Sequence, residues 1–93
     1  MMAVHVPGKN VGHIVLYALS TCIWCQKTKL LLKSLGVEHS YIDVDLLEGV
    51  ERAAAMEVVR RCNPQSSFPT LVINEDRCVA GFKEGEIRMA LTP

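Results

Sequence analysis

Apolar positions change their spacing several times along this 93-residue chain, and each change predicts a new element. Ile14-Val15-Leu16-Tyr17-Ala18-Leu19 is short, nearly unbroken and rich in β-branched side chains, as expected of a strand covered on both faces. Ser20-Thr21 then offers hydroxyls to cap a helix. Lys27 to Leu35 continues with helix formers, and Trp24, Leu31, Leu32 and Leu35 recur at helical spacing until Gly36 closes the segment. Ser40-Tyr41-Ile42-Asp43-Val44-Asp45 alternates apolar with polar side chains. Coming after a helix of that length, this second strand is expected to run parallel to the first through a βαβ crossover.

Glu48 to Cys62 predicts a second helix, with Val50, Ala54 and Val58 on its apolar side and Glu48/Arg52 and Glu57/Arg61 at i,i+4 spacing. Asn63-Pro64 stops it. Pro69 to Ile73 and Cys78 to Ala80 flank the polar turn Asn74-Glu75-Asp76-Arg77, the pattern of an antiparallel hairpin, and Gly81 breaks its second strand. From Lys83 to Leu91, early Glu84 and Glu86 and an apolar stripe of Ile87, Ala90 and Leu91 predict a short terminal helix. The expected order is β-α-β-α-β-β-α in one domain spanning 1–93. In residues 1–13, Val4, Val6 and Val11 around Pro7-Gly8 either add an edge strand or fray.

Composition narrows the function classes. A hydrophobic content of 49% suffices for one small core, and ten basic residues balance ten acidic ones, so no broad field selects nucleic acid or an anionic membrane. Residues 1–13 lack a basic start followed by an apolar core, and the apolar run at 14–19 is too short to span a bilayer. A soluble, cytoplasmic protein is expected, and a monomer. His5, His13 and His39 fall in or beside expected loops and receive no role.

Four cysteines stand at 22, 25, 62 and 78. A continuous hydrophobic pattern and the C-x-x-C spacing argue against a secreted miniprotein stapled by two bridges. Cys22 lies where the first helix should begin, and there unpaired N–H groups and the macrodipole favour a thiolate, the attacking form of the thiol. Cys25 follows one turn later, close enough to bond to Cys22 and expel a substrate from a mixed disulfide. C-x-x-C also offers two soft thiolates to zinc or an iron–sulfur cluster. Cys62 and Cys78 would have to complete a four-ligand site, yet neither lies in a second C-x-x-C or beside a knuckle-spaced histidine. No intrachain metal is expected, and Cys62 and Cys78 are expected to be buried, inert small hydrophobes.

A strand ending at a C-x-x-C helix, a second βα unit, Ser67-Phe68-Pro69-Thr70 opening a hairpin and Gly81-Phe82 before a last helix resemble the glutaredoxin family over about residues 14 to 91. The resemblance implies an α/β thioredoxin fold, a four-stranded mixed sheet with helices on both faces. It implies that Pro69 is cis and faces the active cysteine, that the main chain of Phe68 just before it pairs with the substrate's backbone, that Thr70 belongs to the same substrate-binding set, and that Gly81 and Phe82 border the other side of the groove. Glycine would there allow close backbone approach, and the following helix start would hold a carboxylate. Trp24 is expected to be an exposed aromatic beside the reactive sulfur.

The implied activity is that of an electron carrier reducing protein or small-molecule disulfides through Cys22 and Cys25, without an organic cofactor, with glutathione, another low-molecular-weight thiol or a reductase as electron donor. The alternative is an iron–sulfur cluster held by Cys22 from two chains and external thiols. The chain departs from the family in carrying Ile23 where proline is common and Leu19 where a lysine helps hold a glutathione carboxylate. Arg60, Arg61 or Gln65 are the candidate substitutes for that lysine.

Overall fold

The computed structural model describes residues 3–92. In chain order its elements are β1 (Val4–Val6), β2 (Ile14–Ala18), α1 (Ile23–Ser34), β3 (His39–Asp43), a 3-10 turn (Val44–Leu46), α2 (Gly49–Cys62), β4 (Thr70–Ile73), β5 (Arg77–Ala80) and α3 (Glu84–Leu91). The strands form one sheet in the order β1-β3-β2-β4-β5. β2 and β3 are parallel, as the crossover requires, while β4 runs antiparallel to β2 and to β5.

Period-two alternation along β2 explains the layering. Ile14, Leu16 and Ala18 point to a core that includes Leu31 and Leu32 of α1 and Ile87 and Leu91 of α3. Tyr17 points the other way, into a core with Ile42, Val72 and the α2 residues Ala55 and Val59. Both faces of β2 are therefore covered, and its near-continuous apolar run follows from that. The unsupported end of α1 closes at Leu35, and Gly36 then takes φ 69°.

Several expectations need correction. The sheet has five strands rather than four, because residues 4–6 pair antiparallel with β3. The segment behind β1 is clamped by Lys9 N–H to the Gly36 carbonyl and Glu38 N–H to the Lys9 carbonyl, both 2.8 Å. A Cβ on Gly8 would lie 2.6 Å from the Gly36 oxygen, so this strap tolerates only glycine at that approach. The apolar face of α2 is rotated by about one residue from the expected one: Ala55 and Val59 are buried while Val50 is 85% exposed. Alanine at 53, 54 and 55 gives neighbouring phases of the helix almost equal contrast. His39 is buried within β3, with Nδ1 2.9 Å from the Val37 carbonyl oxygen, rather than solvated in a loop.

Candidate active site

β2 ends at Ala18, and the chain makes one turn, closed by Cys22 N–H to the Leu19 carbonyl at 3.2 Å, before α1 begins. Cys22 itself is the N-cap, with extended backbone, and its sulfur accepts a hydrogen bond from the Cys25 N–H at 3.3 Å. The expected hydroxyl caps are displaced from that role. Ser20 instead gives its N–H and hydroxyl to the two oxygens of Asp45, at 2.8 and 2.5 Å, tying the cysteine loop to the end of β3. Those two bonds, the hydroxyl one foremost, hold the Asp45 carboxyl below its usual pKa.

The two thiols sit in different surroundings. Cys25 is fully buried and its sulfur meets the Leu19 N–H at 3.5 Å, whereas Cys22 is partly exposed. Partial burial works against the Cys22 thiolate, but hydrogen bonds from the Cys25 thiol and from the Cys25 and Trp24 N–H groups, with the Lys29 charge, bring its pKa below the ordinary value. Burial, then the hydrogen bond and charge of Cys22, push Cys25 up to about 12. Of the two, the outer sulfur therefore gives up its proton first and the inner one keeps it.

Beside this pair a groove of about 280 Å³ is lined by Trp24, Phe68, Pro69, Gly81 and Phe82. The Phe68–Pro69 bond is cis. Trp24 is 51% exposed and stacks on Phe82 with ring centroids 6.0 Å apart, while Phe82 also packs against the α1–α3 core. Gly81 donates its N–H to the Pro69 carbonyl at 2.8 Å, which locks the two walls together. Its φ of 86° favours glycine, and a Cβ there would meet no protein atom within 4 Å but would stand in the groove. The first turn of α3 carries Glu84 and Glu86 and has no side-chain cap, so an incoming carboxylate would meet two like charges there.

Thr70 is the expected site residue that the structure turns away. Its side chain is fully buried, donating to the Ser67 carbonyl at 2.8 Å and accepting from Asn63 Nδ2 at 3.2 Å, and it braces the loop rather than lining the groove. Arg60, Arg61 and Gln65 do not line it either; Arg60 and Arg61 pair with Glu57 one turn back on α2. Lys27 is the cation near the groove, its ammonium 4.6 Å from the Trp24 ring centroid. Its i,i+3 spacing from Trp24 carried that signal in the sequence. Lys29 was equally unforeseen: it bonds Asp43 at 2.8 Å and lies over Tyr41, a largely covered positive charge that favours the anion of both cysteines.

A further correction concerns Cys62 and Cys78, which are not inert free thiols but a disulfide joining the end of α2 to β5. Neither is then free to ligate a metal, and among the described residues no group of three or more His, Cys, Asp and Glu side chains is placed to hold a metal ion. None of the described helices is long and apolar enough to cross a membrane.

A mixed sheet with helices on both faces and a free C-x-x-C pair at the start of α1 defines a thioredoxin-like fold carrying a dithiol site. The glutaredoxin family model matches residues 14–78, and the chain belongs to the glutaredoxin family. It is similar to a glutaredoxin-like 8.6 kDa protein from the rubredoxin operon of Clostridium pasteurianum, 36% identical over 80% of this chain and 91% of that one. Among solved structures it resembles the glutaredoxin of Methanosarcina mazei Go1, with TM-score 0.94 and 52% identity over 98% of this chain and 88% of the other. The methanoredoxin of Methanosarcina acetivorans superposes with TM-score 0.89 and 51% identity, covering 92% of this chain and 90% of that one. Membership supports thiol–disulfide oxidoreductase activity, with partners that carry thiols or disulfides.

Proposed function

We propose that the protein reduces protein or small mixed disulfides by a two-step dithiol exchange in which Cys22 attacks and Cys25 resolves. The observation that carries this reading is the asymmetry of the pair: a partly exposed sulfur at a helix N-cap, stabilised as thiolate, backed by a buried thiol that keeps its proton. The Cys22 thiolate attacks one substrate sulfur, forms a mixed disulfide, and the other substrate sulfur leaves and takes up a proton. Capture removes the negative charge on Cys22 and its hydrogen bond, which are two of the influences that hold the Cys25 proton in place. Cys25 then ionises more readily, with Lys29 favouring the anion, and attacks Cys22 to release the second substrate thiol. Two electrons have passed to the substrate, and the protein is left with a Cys22–Cys25 disulfide for a thiol or a reductase to restore.

Trp24, Phe68, Pro69, Gly81 and Phe82 form the bed on which the substrate lies, with the backbone around Phe68 offered to an extended peptide. The donor is a low-molecular-weight thiol, glutathione included, or a reductase; Lys27 is the cation that stands ready for the donor's carboxylate. The protein is taken to act as a cytoplasmic monomer.

The test is turnover of a small mixed disulfide with glutathione by wild type, Cys22→Ser and Cys25→Ser. Loss in Cys22→Ser alone supports a glutathione-driven cycle in which Cys25 is dispensable for small substrates. Silence with glutathione, but activity with dithiothreitol that needs both cysteines, assigns the electrons to another thiol or a reductase. Full activity in Cys22→Ser sinks the reading.

A further inference from the structure

On the α2 side of the sheet, away from the groove, a cavity of about 360 Å³ opens between β2, β4 and the last turns of α2. That is the size of a small-ligand site. Its floor follows from strand register: Val15 pairs with Val72, and Val72 pairs with Cys78, so three side chains stand in a row on one face. Cys62 of α2 joins this row through its bond to Cys78 and lines the cavity.

Polar features here point to a ligand. Tyr17 is only 7% exposed, yet its hydroxyl makes no hydrogen bond with any described residue. No sealed side-chain oxygen among those residues lacks a partner, so the hydroxyl is wetted, and the cavity that Tyr17 lines is where it meets water. Arg61 and Glu75 line the same cavity with opposite charges. A carboxylate suits Arg61 and the Tyr17 hydroxyl, and an ammonium suits Glu75.

We propose that Cys62–Cys78 is a second thiol-exchange site, served through this cavity by a small amino-acid thiol bearing both a carboxylate and an ammonium group. The ligand's thiolate attacks the sulfur of Cys62, the cysteine of this pair that lines the cavity. A new S–S bond forms, the Cys62–Cys78 bond breaks, and the Cys78 sulfur leaves with the electron pair and takes a proton from water. A second ligand thiolate attacks the ligand sulfur of this mixed disulfide and frees Cys62. Two thiols are oxidised to one small disulfide, and the protein pair gains two electrons. The ring closed by the bond, residues 62–78, contains Phe68 and Pro69, so exchange here loosens a wall of the groove.

The experiment uses the full chain as Cys22→Ser/Cys25→Ser, where Cys62 and Cys78 are the remaining cysteines. Oxidised protein, checked for folding by its thermal transition, is exposed to L-cysteine or to uncharged 2-mercaptoethanol, quenched in acid, alkylated and mapped by mass. The expected result is a mixed disulfide on Cys62 with a free Cys78. Adding Arg61→Gln or Tyr17→Phe slows opening by L-cysteine about tenfold and leaves 2-mercaptoethanol within about twofold. Both substitutions are conservative, one on an exposed arginine and one nearly isosteric, so the fold should persist. An adduct on Cys78, a bond inert to L-cysteine, or variants that slow both thiols equally or neither would overturn the proposal.

Discussion

Cys22 and Cys25 are three positions apart at the start of one helix and both are free; Cys62 and Cys78 are 16 apart, on a helix end and a strand, and are bonded. The first pair takes its geometry from a single turn of α1, which fixes one sulfur at the N-cap and the other in the core. The second pair exists only because α2 packs over β5. Local backbone thus creates a chemical difference between two identical side chains, a lowered pKa at Cys22 and a raised one at Cys25, while tertiary packing joins Cys62 and Cys78 in a staple. The standing nucleophile belongs to the pair whose members are unlike, and the bonded pair reacts only when a thiol from outside attacks it.

Removing Cys22 should have the largest effect. Cys22→Ser is expected to lower disulfide reduction by at least about a thousandfold, as loss of a nucleophile does, measured by steady-state turnover. Next comes stability: Cys62→Ser/Cys78→Ser should unfold about 3 kcal/mol more easily, the value expected for a closed loop of this length, seen as a lower urea midpoint. If that variant matched the wild type, the contrast between a free, nucleophilic pair and a bonded, cross-linking pair would fail.

A pH profile sharpens the comparison further. Alkylation follows the thiolate, so the rate at Cys22 should rise with pH and level off below the ordinary thiol value of 9.0, because the folded site favours the anion. Cys25, held at about 12, should still be gaining reactivity at the end of any practical range. Lys29→Gln should move the Cys22 midpoint upward, since it withdraws a positive charge from the thiolate. The smallest effect is expected at Trp24→Ala, which removes the stack on Phe82 and should weaken substrate binding by about 1 kcal/mol, read as a raised KM with kcat nearly unchanged.

Much of this was legible in the order of the residues. The unbroken apolar run of β2, the hairpin around Asn74 and the stop at Asn63-Pro64 rest on local rules, and the structure has each where those rules place it. Cys22 at a helix start was readable for the same reason. The phase of α2 was not, because three alanines in a row leave helix sides nearly alike. The Cys62–Cys78 bond was hidden because it depends on which strand lies under which helix, and neither cysteine has a neighbour in sequence that announces a partner. Ser20–Asp45 and Lys29–Asp43 were missed for a related reason: each joins the active segment to the β3 end across the crossover, a distance the letters do not display. Thr70 borders Pro69 in sequence, but strand alternation sends its side chain to the α2 face, toward Asn63.

The most direct test of unlike sulfurs is trapping. Cys25→Ser, oxidised with a disulfide-bearing peptide, should accumulate a stable mixed disulfide on Cys22, and Cys22→Ser should accumulate almost none because the remaining thiol is buried and protonated. Equal adduct on Cys25 in the Cys22→Ser protein would contradict the account.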